Sequence, residues 1–114
     1  MMWITKEFAF DAAHKIQLPN GEWENLHGHT WQLHVTIEGP LQKNGLVFDF
    51  CELDRIVREK VLSRLHHQNL NDRFPQPTAE LVAVWVWDQL KDLPLREVKV
   101  WEEPGSAVTY HGKK

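Results

Sequence analysis

His27 and His29 stand either side of Gly28 in the stretch Leu26-His27-Gly28-His29-Thr30-Trp31. After them apolar Trp31, Leu33, Val35 and Ile37 alternate with polar Gln32, Thr36 and Glu38. Side chains two residues apart in a strand share a face, so both imidazoles continue the apolar face to its rim. Upstream, Met2, Ile4, Phe8, Phe10 and Ala12 alternate in the same way, and His14 has their parity. If the two strands pair as an antiparallel hairpin, His14, His27 and His29 converge. Desolvating three imidazoles without partners is costly, whereas three neutral imidazoles with an open fourth position form a catalytic zinc site. Zinc so held can polarise an oxygen or acidify a bound water.

Other groups could carry protons or anchor a ligand. Glu24 lies three residues before His27 and can enter the same rim or remain a solvated loop carboxylate. His66 and His67 close a helical pattern, where a cation also suits the helix dipole. Glu102 follows Val98 and Val100 on one strand face, as an exposed strand end or as a ligand anchor. Cys51, the only cysteine, has no neighbour that would make it a nucleophile.

Composition bounds the class. With 114 residues, 42% apolar and 25% charged, the chain is sized for one soluble domain over 1–114, small enough to lean on a metal or on oligomerisation. A net charge of −3 without a basic run argues against nucleic acid and anionic membranes as partners. No apolar stretch suits a membrane span, and the N-terminus lacks the form of a signal peptide. A lone cysteine suits a reducing cytoplasm.

The elements that must position these groups follow from periodicity. A strand covers Met2 to His14, and a Pro19-Asn20-Gly21 loop leads to a second strand from His29 to Glu38. Asp49 can cap a helix from about Phe50 to Leu65, with Leu53, Ile56, Val57, Val61, Leu62 and Leu65 on one face. Residues 66–76 read as a loop. Thr78 can cap a second helix to about Leu90, apolar around most of its girth and so expected to be covered on two sides. A strand through Val98 and Val100 and a short return at Ala107 to Tyr110 flank a Pro104-Gly105 turn. The expectation is an α+β domain, β-β-α-α-β-β, with a four-stranded antiparallel sheet and two helices packed on one face.

Taken together, Phe10-Asp11-Ala12-Ala13-His14, Leu26 to Trp31, Val47-Phe48-Asp49-Phe50, Leu65 to Asn71, Pro77 to Ala83, Val100-Trp101-Glu102 and Ala107 to Tyr110 resemble the 6-pyruvoyltetrahydropterin synthase / 6-carboxytetrahydropterin synthase family, which has the tunnelling fold. The resemblance implies zinc (Zn2+) on His14, His27 and His29, a pterin substrate anchored by Glu102, and a pocket shaped by Thr78 and Glu80. It also implies a homo-oligomer, a trimer or a dimer of trimers. Two positions depart from the pattern: Trp23 stands where these synthases carry a proton-abstracting cysteine, and His66 replaces the aspartate of an Asp-His pair, leaving His67 as the matching histidine. Glu24 matches a branch with glutamate in place of that cysteine. This implies a lyase cutting the side chain of 7,8-dihydroneopterin or its triphosphate to 6-hydroxymethyl-7,8-dihydropterin, with Glu24 and His67 catalytic. The alternatives are 6-carboxytetrahydropterin synthase, 6-pyruvoyltetrahydropterin synthase, or a zinc- and pterin-binding paralogue without activity.

Overall fold

The computed structural model describes residues 1–113. Two long strands, β1 (Met2–His14) and β2 (His27–Gly39), pair antiparallel along their full length, from Met2 opposite Gly39 to His14 opposite His27. Their shared face is the core: Phe8, Phe10, Ala12 and His14 from β1 are buried, and Trp31, Leu33, Val35 and Ile37 from β2 are wholly so. Each such aliphatic or aromatic side chain contributes about 1.5–3 kcal/mol on burial. β2 starts two residues earlier than its pattern suggested, so His27 and His29 are strand residues.

The sheet has five strands, not the expected four. Between the helices, β3 (Gln68–Asn69) pairs parallel with β1, Ala12 opposite Gln68, and a 3-10 turn follows at Leu70–Asp72. A two-residue strand has no alternation to read, so only its neighbour reveals it. β4 (Leu95–Glu103) pairs antiparallel with β2, and β5 (Ser106–Tyr110) with β4, giving the order β3-β1-β2-β4-β5. Gly105, at φ +90°, takes the left-handed turn between β4 and β5 that glycine adopts at little cost.

The helical layer lies on the core face. α1 (Phe50–Val57) starts where the Asp49 carboxylate accepts the Cys51 N–H at 2.8 Å. It runs through a π-helical turn (Arg58–Leu62) into α2 (Ser63–Leu65). Leu53, Val57, Val61, Leu62 and Leu65 along this run are all buried in the core. α3 (Ala79–Gln89) is capped by Thr78, whose Oγ1 accepts the Leu81 N–H. Within the chain α3 is covered on one side only: Ala79, Val82, Ala83 and Val86 are buried while Leu81 is 44% exposed. Three residues, four residues and seven residues from Ala79 fall on one core-facing stripe, flanked by Trp87, which packs edge-on against Tyr110 of β5, and Trp85, which packs against Phe74. No helix among the described residues is long and apolar enough to cross a membrane.

Because Leu33 sits in the strand flanked by β1 and β4, Leu33→Ala should cost about 2–5 kcal/mol. Urea unfolding should show a lower midpoint at unchanged slope.

Candidate metal and pterin site

The β1–β2 register brings the histidines together, since His14 and His27 are direct partners and His29 faces Ala12. Their ring centroids stand 4.8 Å (His14–His27), 5.2 Å (His14–His29) and 4.7 Å (His27–His29) apart. Glu102, at the far end of β4, completes the group: the ligating atoms of His14, His27, His29 and Glu102 all lie within 4.8 Å of one another. The Nδ1–H of buried His14 donates to the Pro77 carbonyl at 2.8 Å, and that of His27 donates to the Asn25 carbonyl at 2.7 Å. In a neutral ring, a proton on Nδ1 leaves Nε2 with a lone pair.

Those lone pairs point into the cluster. His14 Nε2 and His29 Nε2 are buried without a hydrogen-bond partner. Glu102 Oε1 approaches them at 2.9 Å and 3.8 Å, the shorter contact lacking hydrogen-bond geometry. Lone pairs of a buried ring and a carboxylate facing each other are favourable only with a positive charge between them. The donor set therefore fits a divalent ion. Its outer contacts are those usual for metal-bound histidine, one ring nitrogen tied to a carbonyl and the other free. Glu103 adds a carboxylate oxygen 3.8 Å from His29 Nδ1.

Glu24 is not among those four ligating residues. It stands half-buried in the loop from His14 to His27, its Oε1 accepting the Ile16 N–H at 3.3 Å and its own N–H donating to the Ile16 carbonyl at 3.0 Å. A bridge between Gln17 and Trp23 closes this loop, so its carboxylate is held beside the residues that follow His14. Trp23 is 48% exposed, with the Lys15 ammonium 5.8 Å from its ring.

Thr78 and Glu80 occupy the start of α3, one and three residues after the carbonyl that holds His14. They join neither the cluster nor the hollow described next. His67 lies in a second group: the ligating atoms of Asp11, His66 and His67 lie within 4.8 Å of one another. His67 also borders an open hollow of about 580 Å3 whose lining includes Asp11, His29, Thr30 and Asn69. Asp11 went unread as a site residue because its odd parity on β1 marks an ordinary solvent-facing carboxylate.

An α+β sheet with three histidines and a carboxylate gathered at its strand ends defines a protein able to hold a divalent ion beside a small-molecule site. The 6-pyruvoyl tetrahydropterin synthase family model matches residues 3–113, and the chain belongs to that family. It is 39% identical to the dihydroneopterin monophosphate aldolase of Pyrococcus furiosus over 99 residues, covering 82% of this chain and 83% of that one. To the 6-carboxy-5,6,7,8-tetrahydropterin synthase of Haemophilus influenzae it is 34% identical, over 96% of this chain and 99% of the other. The fold matches 6-pyruvoyl tetrahydropterin synthase of Caenorhabditis elegans with a TM-score of 0.87 at 24% identity, over 98% of this chain and 96% of that one. The chain is thus a lyase of this family with the tunnelling fold, as its motifs implied.

Added zinc should raise the melting midpoint of the wild type, by the equivalent of about 2.7 kcal/mol at a hundredfold excess over Kd. His27→Ala should show no such rise; an equal response in both proteins would refute the cluster as the ion's site.

Proposed function

We propose that the protein is a zinc-dependent lyase that cleaves the side chain of 7,8-dihydroneopterin, free or phosphorylated, to 6-hydroxymethyl-7,8-dihydropterin. The observation that carries this reading is the front of the histidine stretch. Trp23 has no basic atom to take up a proton at the position where the resemblance implies a cysteine, and the next residue offers a carboxylate tied to the Ile16 N–H. The relative named dihydroneopterin monophosphate aldolase supports it.

His14, His27 and His29 would hold the ion, which when bound makes the side-chain hydroxyls of the substrate more acidic. Glu102, 29% exposed at the cluster's edge, would accept an N–H bond from the pterin's guanidine-like edge through its other oxygen, Oε1 being the one that faces His14 and His29. Thr78 and Glu80 lie outside both the cluster and the hollow of this chain and take no part in this reading. The Glu24 carboxylate takes the proton of the hydroxyl on the second side-chain carbon. The bond between the first and second carbons then breaks, its electron pair passing into the ring's C=N system. The second carbon leaves as an aldehyde. A ring nitrogen of His67 delivers the proton that the first carbon needs to become hydroxymethyl. The working form in this reading is a homo-oligomer, a trimer or a dimer of trimers; exposed Leu81 and the sheet edges β3 and β5 offer it surface.

The second reading, 6-carboxytetrahydropterin synthase, is favoured by the near-complete span of the Haemophilus relative. Incubation with 7,8-dihydroneopterin, its monophosphate and its triphosphate, followed by mass analysis, separates the two. The expected product is 6-hydroxymethyl-7,8-dihydropterin, with glycolaldehyde or its phosphate ester; a carboxy- or pyruvoyl-tetrahydropterin would overturn the lyase. Glu24→Gln should lower turnover by about 10²–10⁴-fold at unchanged zinc content, and undiminished turnover would remove Glu24 from the mechanism.

A further inference from the structure

Asp11 holds the His66–His67 pair by two backbone hydrogen bonds, with its carboxylate near both rings. Its backbone N–H donates to His66 Nδ1 at 3.1 Å, its carbonyl accepts the His67 N–H at 2.7 Å, and its carboxylate lies within 4.8 Å of both imidazoles' ligating atoms. That carboxylate is itself fixed, since Thr30 Oγ1 donates to Oδ1 at 2.6 Å. The two rings stack with centroids 3.7 Å apart. Among the described residues His67 is the one non-glycine with positive φ, at +60°. Such a backbone costs on the order of 1 kcal/mol and persists where surrounding contacts enforce it. Here the enforcing contacts are those of Asp11 and of β3, which pairs with β1 immediately afterwards.

Two chemistries could use an aspartate and two histidines. Metal binding is disfavoured by the tautomer of His66. Its Nδ1 accepts a backbone N–H, so in the neutral ring the proton sits on Nε2 and no lone pair remains there for an ion. The first cluster shows the reverse arrangement, with Nδ1–H donating to a carbonyl and Nε2 free.

We propose that Asp11 is the positioning residue for His67: its carboxylate orients the His67 imidazole and stabilises the positive charge that ring carries while it holds a proton. His66, pinned to the Asp11 backbone, braces the other ring by stacking. The carboxylate oxygen not bonded to Thr30 lies near enough to reach the ring once it is charged. The position that would hold an aspartate next to His67 in sequence holds His66, and a neighbouring strand supplies the charge instead. Asp11, Thr30 and His67 border the same hollow as His29, which places the charge-holding group beside the substrate's space. This inference rests on the reading of His67 as the proton carrier.

The test uses the full-length protein in its zinc-loaded form. Asp11→Asn keeps an acceptor for Thr30 and should lower kcat about 10- to 100-fold, less than removal of the proton carrier itself, with KM and zinc content unchanged. Asp11→Ala should lose more, and formate or acetate should restore part of its turnover, because the cluster is exposed to solvent. Unchanged kcat in Asp11→Asn would overturn the proposal, as would a loss in Asp11→Ala that formate does not relieve while the melting midpoint falls. His67→Asn separates the two readings. If it leaves turnover intact the catalytic assignment of His67 fails, whereas a loss there with active Asp11→Asn refutes Asp11 alone. A readout independent of activity is the nitrogen-15 spectrum of the His67 ring, whose tautomer balance should differ between the wild type and Asp11→Asn. Identical spectra, or a second zinc equivalent bound by the wild type and lost in Asp11→Asn, would overturn it.

Discussion

The register between β1 and β2 is the constraint on which the molecule depends. Thirteen consecutive pairs run from Met2–Gly39 to His14–His27, and they settle both the core and the site. A slip of one residue would turn every apolar side chain of one strand to the opposite face. It would carry His14 away from His27 and His29 by the same motion. Burial of Phe8, Phe10, Trp31, Leu33 and Val35 therefore enforces the convergence of the histidines. The energy that aligns the ligands is hydrophobic, while the ligands themselves add desolvated nitrogen atoms that oppose folding until something positive meets them.

The helical layer acts on this rim through few contacts. The carbonyl of Pro77, just before the α3 cap, accepts the His14 Nδ1 proton and so selects which nitrogen faces the cluster. Here Thr78 Oγ1 accepts the Leu81 N–H, one of the helix's orphan donors, while the Pro77 carbonyl accepts from His14. On the other side of β1, backbone groups of Asp11 hold His66 and His67. One strand thus serves both groups, its even residues lining the core and rim and its odd residue Asp11 the open hollow.

Much of this was legible because two-residue and helical periods survive in the sequence. β1, the Asp49-capped helix and the Thr78-capped helix lie where their apolar patterns place them. Glu102 continues the parity of Val98 and Val100, and it does reach the histidines. Other features left no local trace. β3 consists of Gln68 and Asn69, too short for a period and paired only because β1 passes beside it. The π-helical turn at Arg58–Leu62 interrupts a run whose apolar spacing reads as one continuous helix. The girth of α3 suggested two covered sides, whereas only one is covered by the chain itself.

The sequence by itself determined residue chemistry and facing: three imidazoles on the rim of a buried face and Glu24 ahead of them. Periodicity carries that information because a side chain's face depends on its neighbours along one strand. Only the tertiary structure decided which atoms meet. The choice of Nδ1 over Nε2 on His14, the strained backbone of His67 and the partnership of Asp11 with the His66–His67 pair all depend on groups more than fifty residues apart in the chain. No local pattern encodes such distances. They are fixed when burial sets the strand register and the remaining polar groups must find partners where that register leaves them.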